Sequence, residues 1–284
     1  MRRLIKTVSL RSGIDVCYAE RGDPAGAPLV LLPGYTDSLA SFGPLVDALP
    51  PWIRTLSLSL RGHGRSSKPD SSYDTAELAG DVAGFFGALA LDRAVVLGHS
   101  MGSVVARRFA AQYPERTRGL ILIGSFLSTK DHPGVEELWR DVAGLRDPID
   151  PAFVRAFQES TLAEPVAPSF LDMVVRESLE VPAHVWRSAL AAMRREDHAE
   201  GLDAIRAPAV VVWGDQDAFS DRAAQGELTS RIRGSRLDVL RGCGHAPHWE
   251  RPREIANLVA AFEPLVEASA SRARETTLSN TDPS

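Results

Sequence analysis

The sequence predicts a mostly parallel α/β sheet of eight strands, with helices on both faces and an all-helical insertion. Three observations carry this expectation. Short apolar runs of strand type alternate with amphipathic stretches, as a parallel sheet with crossover helices requires. Several of these runs stop on glycine or proline. Between Phe126 and about Gly201 the strand-like runs vanish and only helical periodicity is left.

The elements follow in order. Alternation over Thr7–Leu10 and Ile14–Ala19, with a turn at Arg11 to Gly13 between them, gives two antiparallel strands. Leu29–Leu32 is wholly apolar and ends at Pro33-Gly34, as a buried strand would, and Ile53–Leu60 breaks at Arg61-Gly62-His63-Gly64. Leu78, Val82, Phe85, Phe86 and Leu89 make one face of a helix over Thr75–Leu89, capped by Asp74 or Thr75. The unit then repeats: strand Ala94–Leu97, helix from about Ser100 to Gln112, and strands Leu120–Ile123, Ala209–Trp213 and Leu237–Leu240. Helical stretches at Val135–Leu145, Pro151–Thr161, Ser169–Leu179 and Pro182–Met193 fill the insertion, with prolines at the joints. A last helix covers Arg253–Val266.

Residues 1–125 and 202–266 therefore form one core, 126–201 a helical lobe, and the small, polar tail at 267–284 is expected to be disordered. With 284 residues, 44% of them hydrophobic, the chain can bury a large core. The net charge of −5 argues against a nucleic-acid partner. No apolar run approaches the roughly 20 residues of a membrane span. Cys17 and Cys243 stand far apart, without metal or redox spacing, and read as free thiols. The N-terminus lacks the apolar stretch of a signal peptide, so the expected location is the cytoplasm. The oligomeric state is not legible.

Gly98-His99-Ser100-Met101-Gly102 matches the G-x-S-x-G nucleophile elbow, in the strand-then-helix context that motif needs. Glycines relieve crowding in a sharp turn and the serine is left exposed at the strand end. A serine hydroxyl is a weak nucleophile at neutral pH, so it needs a base, and the base an orienting carboxylate. Val210–Asp217 places two carboxylates beyond a strand end; Asp217, deeper in the loop, is the expected acid and Asp215 the fallback. His245, on the Gly242-Cys243-Gly244 loop before the last helix, is the expected base. His99 adjoins the serine, but neighbouring elbow side chains point apart; His132, His184 and His198 are expected at the surface. Acyl transfer also needs donors for a tetrahedral oxyanion, each worth roughly 3–4 kcal/mol when removed. The Met101 N–H at the helix start and the Tyr35 N–H in the loop after the third strand are the expected pair.

With these residues assembled, the chain resembles the α/β-hydrolase fold superfamily from about Thr7 to Val266. The LPGYTDS loop, the LRGHGRSSKP segment at Leu60–Pro69 and GHAPHWERP at Gly244–Pro252 are similar to blocks of that family. The resemblance implies a Ser100, Asp217 and His245 triad and assigns 126–201 to its helical cap. Two positions depart from the common pattern: Pro33 stands where histidine is frequent, and Ser59 where an aspartate often precedes RGHG. Serine at the elbow speaks against dehalogenation and epoxide opening, which use an aspartate there.

The expectation is hydrolysis of a carboxylic ester or lactone through an acyl-enzyme on Ser100. No metal and no organic cofactor is expected, and the partner is a small-molecule substrate. Trp186, Phe126 and Phe157 are expected to line its pocket, with Trp186 as a wall. Alternatives are hydrolysis of carbon-carbon bonds in ring-fission products, cofactor-free perhydrolysis, and a receptor-like protein with feeble turnover.

Overall fold

A computed structural model describes residues 4–130, 132–262, 264–265 and 267. The strands are β1 (Leu4–Ser9), β2 (Asp15–Arg21), β3 (Ala27–Leu32), β4 (Ile53–Leu58), β5 (Ala94–His99), β6 (Thr117–Ile123), β7 (Ala209–Gly214) and β8 (Arg236–Leu240). They form one eight-stranded sheet in the order β1-β2-β4-β3-β5-β6-β7-β8. β1 pairs antiparallel with β2, and β2 with β4; all other neighbours run parallel. The chain lays β4 on one side of β3 and then crosses to lay β5 on the other. That reversal opens a crevice at the carboxyl ends of β3 and β5, where open α/β sheets bind ligands.

Every residue of β3, β5 and β7 is buried, which is why these strands read as unbroken apolar runs. The side chains of these strands and of β6 still alternate between two cores. Val30, Leu32, Val96, Leu122 and Val211 pack against α2 (Thr75–Ala88) and α3 (Met101–Gln112). Leu29, Leu31, Val95, Leu97, Ile121 and Val212 pack against α1 (Gly43–Ala48) and α10 (Pro252–Ala260). Period-two alternation thus divides the two faces even where neither face is polar. Asp74 is the cap of α2, its carboxylate accepting from the Glu77 N–H.

Between β6 and β7 lie α4 (Pro133–Val142), α5 (Pro151–Glu159), α6 (Pro168–Leu179) and α7 (Ala183–Arg195). Proline occupies the first turn of α4, α5 and α6, where its missing N–H costs no helical bond. Val154, Val185, Trp186 and Leu190 of these helices join the same apolar cluster as Leu60, Tyr73 and Phe126. The insertion is therefore packed onto the sheet layer by continuous burial. α8 (Arg222–Arg231) follows β7 and α9 (Pro247–Glu250) precedes α10. α1, α8 and α9 are absent from the sequence expectation, and α8 is polar on most sides, with only Gln225 and Leu228 buried. α10 stops at Ala260, short of the expected Val266, although Pro264, Leu265 and Glu267 are again helical after a break at Ala261 and Phe262; the 267–284 tail lies outside the described residues apart from Glu267. Among the described residues no helix is long and apolar enough to cross a membrane.

His198 corrects one expectation. It is buried, at 4% exposure, while His132 and His184 are half-buried. Its Nε2–H donates to the Met193 carbonyl at 2.7 Å. Burial, together with the Arg107 guanidinium, lowers its pKa to about 4. An unfolded histidine titrates near 6.5, so between about pH 6.5 and 4 the unfolded chain binds the extra proton. Stability must then fall on acidification through that window, by up to about 1.4 kcal/mol per pH unit. Urea titrations at pH 7 and pH 5 should show His198→Leu losing less stability between the two than the parent chain; equal losses would dismiss this histidine as a source of the acid sensitivity.

Candidate active site

Ser100 stands between β5 and α3 with φ 51° and ψ −121°. An L-residue held at positive φ stores about 1–3 kcal/mol. The two flanking glycines make that turn possible. A Cβ on Gly98 would lie 2.2 Å from the Gly102 carbonyl oxygen, and one on Gly102 would lie 2.2 Å from that of Leu32 and 2.4 Å from that of Pro33. The turn is held from outside by the Ser100 N–H, which donates to the Ile123 carbonyl at 2.9 Å.

Ser100 Oγ lies 2.8 Å from His245 Nε2, and His245 Nδ1 lies 3.0 Å from both oxygens of Asp217. The Asp217 side chain is inaccessible to solvent and that of His245 is 5% exposed. Since the carboxylate can only accept, Nδ1 carries the proton and Nε2 is free to accept from the serine hydroxyl. Asp217 is fixed in turn by the Phe219 N–H, which donates to it at 2.8 Å. Asp215 does other work: its carboxylate accepts from the Gly242 N–H at 2.7 Å, bracing the loop that carries His245. Gly124, at φ 53°, clears room for that histidine, because a Cβ there would sit 2.5 Å from the His245 carbonyl oxygen.

His99 points away from the serine, as expected of elbow neighbours. Its Nε2–H donates to the His245 carbonyl at 3.1 Å, and burial lowers its pKa. His248, fully buried beside His99, is driven well below the usual histidine range by burial and by its imidazole neighbours. Both rings are thus kept uncharged around the site.

Met101 opens the 12-residue helix α3, whose first N–H groups lie at its positive end. Among the described residues, neither the Met101 N–H nor the Tyr35 N–H is engaged by a backbone acceptor. Tyr35 uses its side chain elsewhere: its hydroxyl donates to the Trp186 carbonyl at 2.6 Å, and burial raises its pKa far above the usual value. Of the two departures from the family pattern, Ser59 accepts the Leu39 N–H at 3.1 Å and so ties down the loop after β3. Pro33 turns its carbonyl toward Gly102.

A cavity of about 50 Å³ opens on Ser100 and His245. Phe126, Val135, Leu138, Leu190, Met193 and Phe219 supply apolar walls, Phe157 and Tyr35 close one side, and Asp37, Gln158 and Thr161 are among its polar lining. Phe126 and Phe157 therefore face the cavity. Trp186 does not: it is fully buried behind it, stacked edge-on against Tyr35 and Phe157 and tilted against Phe153. The pocket-wall expectation is corrected on this point, because a helical aromatic at Trp186 faces the junction between insertion and core. Trp186→Ala should cost about 3–5 kcal/mol of stability by cavity formation, read by urea denaturation, with little change in relative rates across ester chain lengths; a reshaped ester profile at nearly parental stability would restore Trp186 to the wall.

Sequence reasoning missed Asp37, Gln158, Thr161 and Phe219. Phe219 was within reach, two residues past Asp217, and its ring lies 4.7 Å from that of His245. Gln158 offered no signal, since a glutamine near a helix end is ordinarily solvated. Among the described residues no three His, Cys, Asp or Glu side chains are grouped so as to hold a metal ion.

An inaccessible carboxylate, an imidazole and a strand-end serine in sequence, on a sheet with this strand order, define a class of protein. A sequence model described as the alpha/beta hydrolase fold matches residues 27–252, and the chain belongs to that family. Its relatives include esterases and lipases. Monoacylglycerol lipase ABHD6 of Mus musculus is 28% identical over 268 residues, covering 87% of this chain and 78% of the lipase. The solved esterase RhEst1 from Rhodococcus sp. ECU1013 is 27% identical with a TM-score of 0.77, covering 91% of this chain and 98% of that one. An esterase from Exiguobacterium antarcticum shares the fold at a TM-score of 0.82 and 22% identity, covering 91% of this chain and 99% of its own.

Proposed function

We propose that the protein hydrolyses carboxylic esters or lactones through an acyl-enzyme on Ser100. The observation that carries this reading is the unbroken chain of contacts from Asp217 through His245 to Ser100 Oγ, at 3.0 and 2.8 Å. In this reading His245 takes the hydroxyl proton as Ser100 Oγ attacks the carbonyl carbon, and Asp217 holds the imidazole and stabilises the imidazolium that forms. The Tyr35 and Met101 N–H groups bind the oxyanion. The intermediate collapses, the carbon-oxygen bond to the alcohol breaks, and His245 returns the proton to the leaving oxygen. Water, deprotonated by His245, then releases the acid.

The helices of 126–201 act as a cap that selects the acyl group. A cavity of about 50 Å³ with mostly apolar walls supports a short acyl chain, since each water-sized group needs roughly 10–15 Å³ by the same measure. The esterase and lipase relatives support the reaction class. A fluorophosphonate probe followed by peptide mapping tests the assignment: the label is expected on Ser100, with p-nitrophenyl butyrate turned over in preference to the palmitate. A label elsewhere, or none, would refute it.

A further inference from the structure

The helical insertion reaches the loop after β3 through one buried amide. Gln158, in the last turn of α5 and 1% exposed, aims its Nε2 at Ser178 Oγ at 2.8 Å, and at Thr36 Oγ1 and Asp37 Oδ1 at 3.3 Å each. Two amide hydrogens serve three oxygens, so at least one is shared. Ser178, on α6 and fully buried, can direct its hydroxyl at the Thr36 carbonyl, 3.2 Å away. Two helices of the insertion therefore converge on the two residues that follow Tyr35.

Thr36 needs such support. It is fully buried at φ 65°, a conformation that β-branched residues abandon unless their surroundings hold them. The loop is anchored on one side by β3 and on the other by Ser38, whose side chain accepts the Ala40 N–H at 3.1 Å. Relaxation at Thr36 toward negative φ would therefore be absorbed by its neighbours, Tyr35 first.

We infer that Gln158 and Ser178 are positioning residues: by holding Thr36 in its left-handed conformation, the cap aims the Tyr35 N–H at the oxyanion. The inference rests on the ester-hydrolase reading above. Its content is that the cap shapes the catalytic step as well as the choice of substrate.

Gln158→Met keeps the side-chain length and removes both N–H donors, and Ser178→Ala removes the hydroxyl. With p-nitrophenyl butyrate each should lower kcat roughly ten- to hundredfold, and for Ser178→Ala, at a residue that does not line the cavity, KM should stay within about twofold. Affinity for a trifluoromethyl ketone, which forms a tetrahedral oxyanion adduct on a serine, should fall by the same factor as kcat. A merely structural role would lower Tm and leave kcat and ketone affinity of the folded enzyme as in the parent; that result in either folded variant overturns the inference. Should Gln158→Met fail to fold, Ser178→Ala decides. Ser100→Ala is assayed in parallel: if it keeps parental turnover, the hydrolase reading falls and the inference with it. If it is inactive while either folded cap variant keeps parental kcat, only the inference falls.

Discussion

Alanine at Ser100 is expected to lower kcat/KM for p-nitrophenyl butyrate by roughly four to six orders of magnitude, with the fold intact. The size follows from the proposed mechanism, in which removing Oγ removes the acyl-enzyme and leaves His245 Nε2, 2.8 Å from Oγ in the parent chain, with no hydroxyl proton to accept. What survives is the small catalysis that oxyanion donors and binding can give alone. The small effect on stability follows from the local structure. The Ser100 side chain makes no capping hydrogen bond to α3, and alanine tolerates φ 51° about as poorly as serine does. Comparing ester turnover with the urea midpoint separates the two effects. Substantial turnover in a folded Ser100→Ala chain would remove the nucleophile from the mechanism.

The second large effect concerns the turn itself. Gly102→Ala should destabilise the protein by about 3–5 kcal/mol, although alanine in a helix is ordinarily better than glycine by roughly 1 kcal/mol. The sign is reversed by tertiary packing. A methyl on Gly102 would meet the carbonyl oxygens of Leu32 and Pro33 at 2.2 and 2.4 Å, and both belong to the backbone at the end of β3. Neither can move without opening the sheet or displacing the loop that carries Tyr35. Gly80, exposed in the middle of α2 with nothing within 4 Å of its would-be Cβ, is the internal control. Gly80→Ala should raise stability by up to about 1 kcal/mol. Urea denaturation of both variants checks the pair: equal, small effects would mean that α3 and β3 are not packed as closely as the distances state.

The elements that position the site were legible for particular reasons. β3, β5 and β7 are buried on both faces, so each holds a run of four consecutive residues drawn from Leu, Val and Ala that few other environments would tolerate. The elbow was legible because its spacing is local, Gly98 clearing the Gly102 carbonyl within the turn itself, although what Gly102 clears is the distant backbone of Leu32 and Pro33. α8 was not, because its polar exterior leaves only Gln225 and Leu228 to mark an inward face. His198 was misplaced for a related reason. Nothing in the string around it shows that Thr129, Met193 and Phe126 close over the ring.

The aromatics of the insertion mark the boundary most sharply. Trp186, Phe157 and Phe126 are alike as letters in an amphipathic region, yet two face the cavity and one is sealed behind it. Periodicity tells which side of a helix is apolar; it does not tell whether that side meets a core or a void. The same holds for Gln158, whose value comes wholly from Thr36, Asp37 and Ser178, all more than 15 residues away along the chain.

By itself the sequence determined the layered α/β architecture, the helical insertion and the strand-to-helix turn at Ser100, because burial patterns repeat over a few neighbouring residues and the glycines of the turn keep a fixed spacing about the serine. The tertiary structure alone decided how Asp217 and His245 reach Ser100, which aromatics bound the cavity, and which residues of the helical insertion hydrogen-bond to the loop after β3. Those are contacts between segments up to 145 residues apart, and their distances depend on how the sheet twists and stacks its loops.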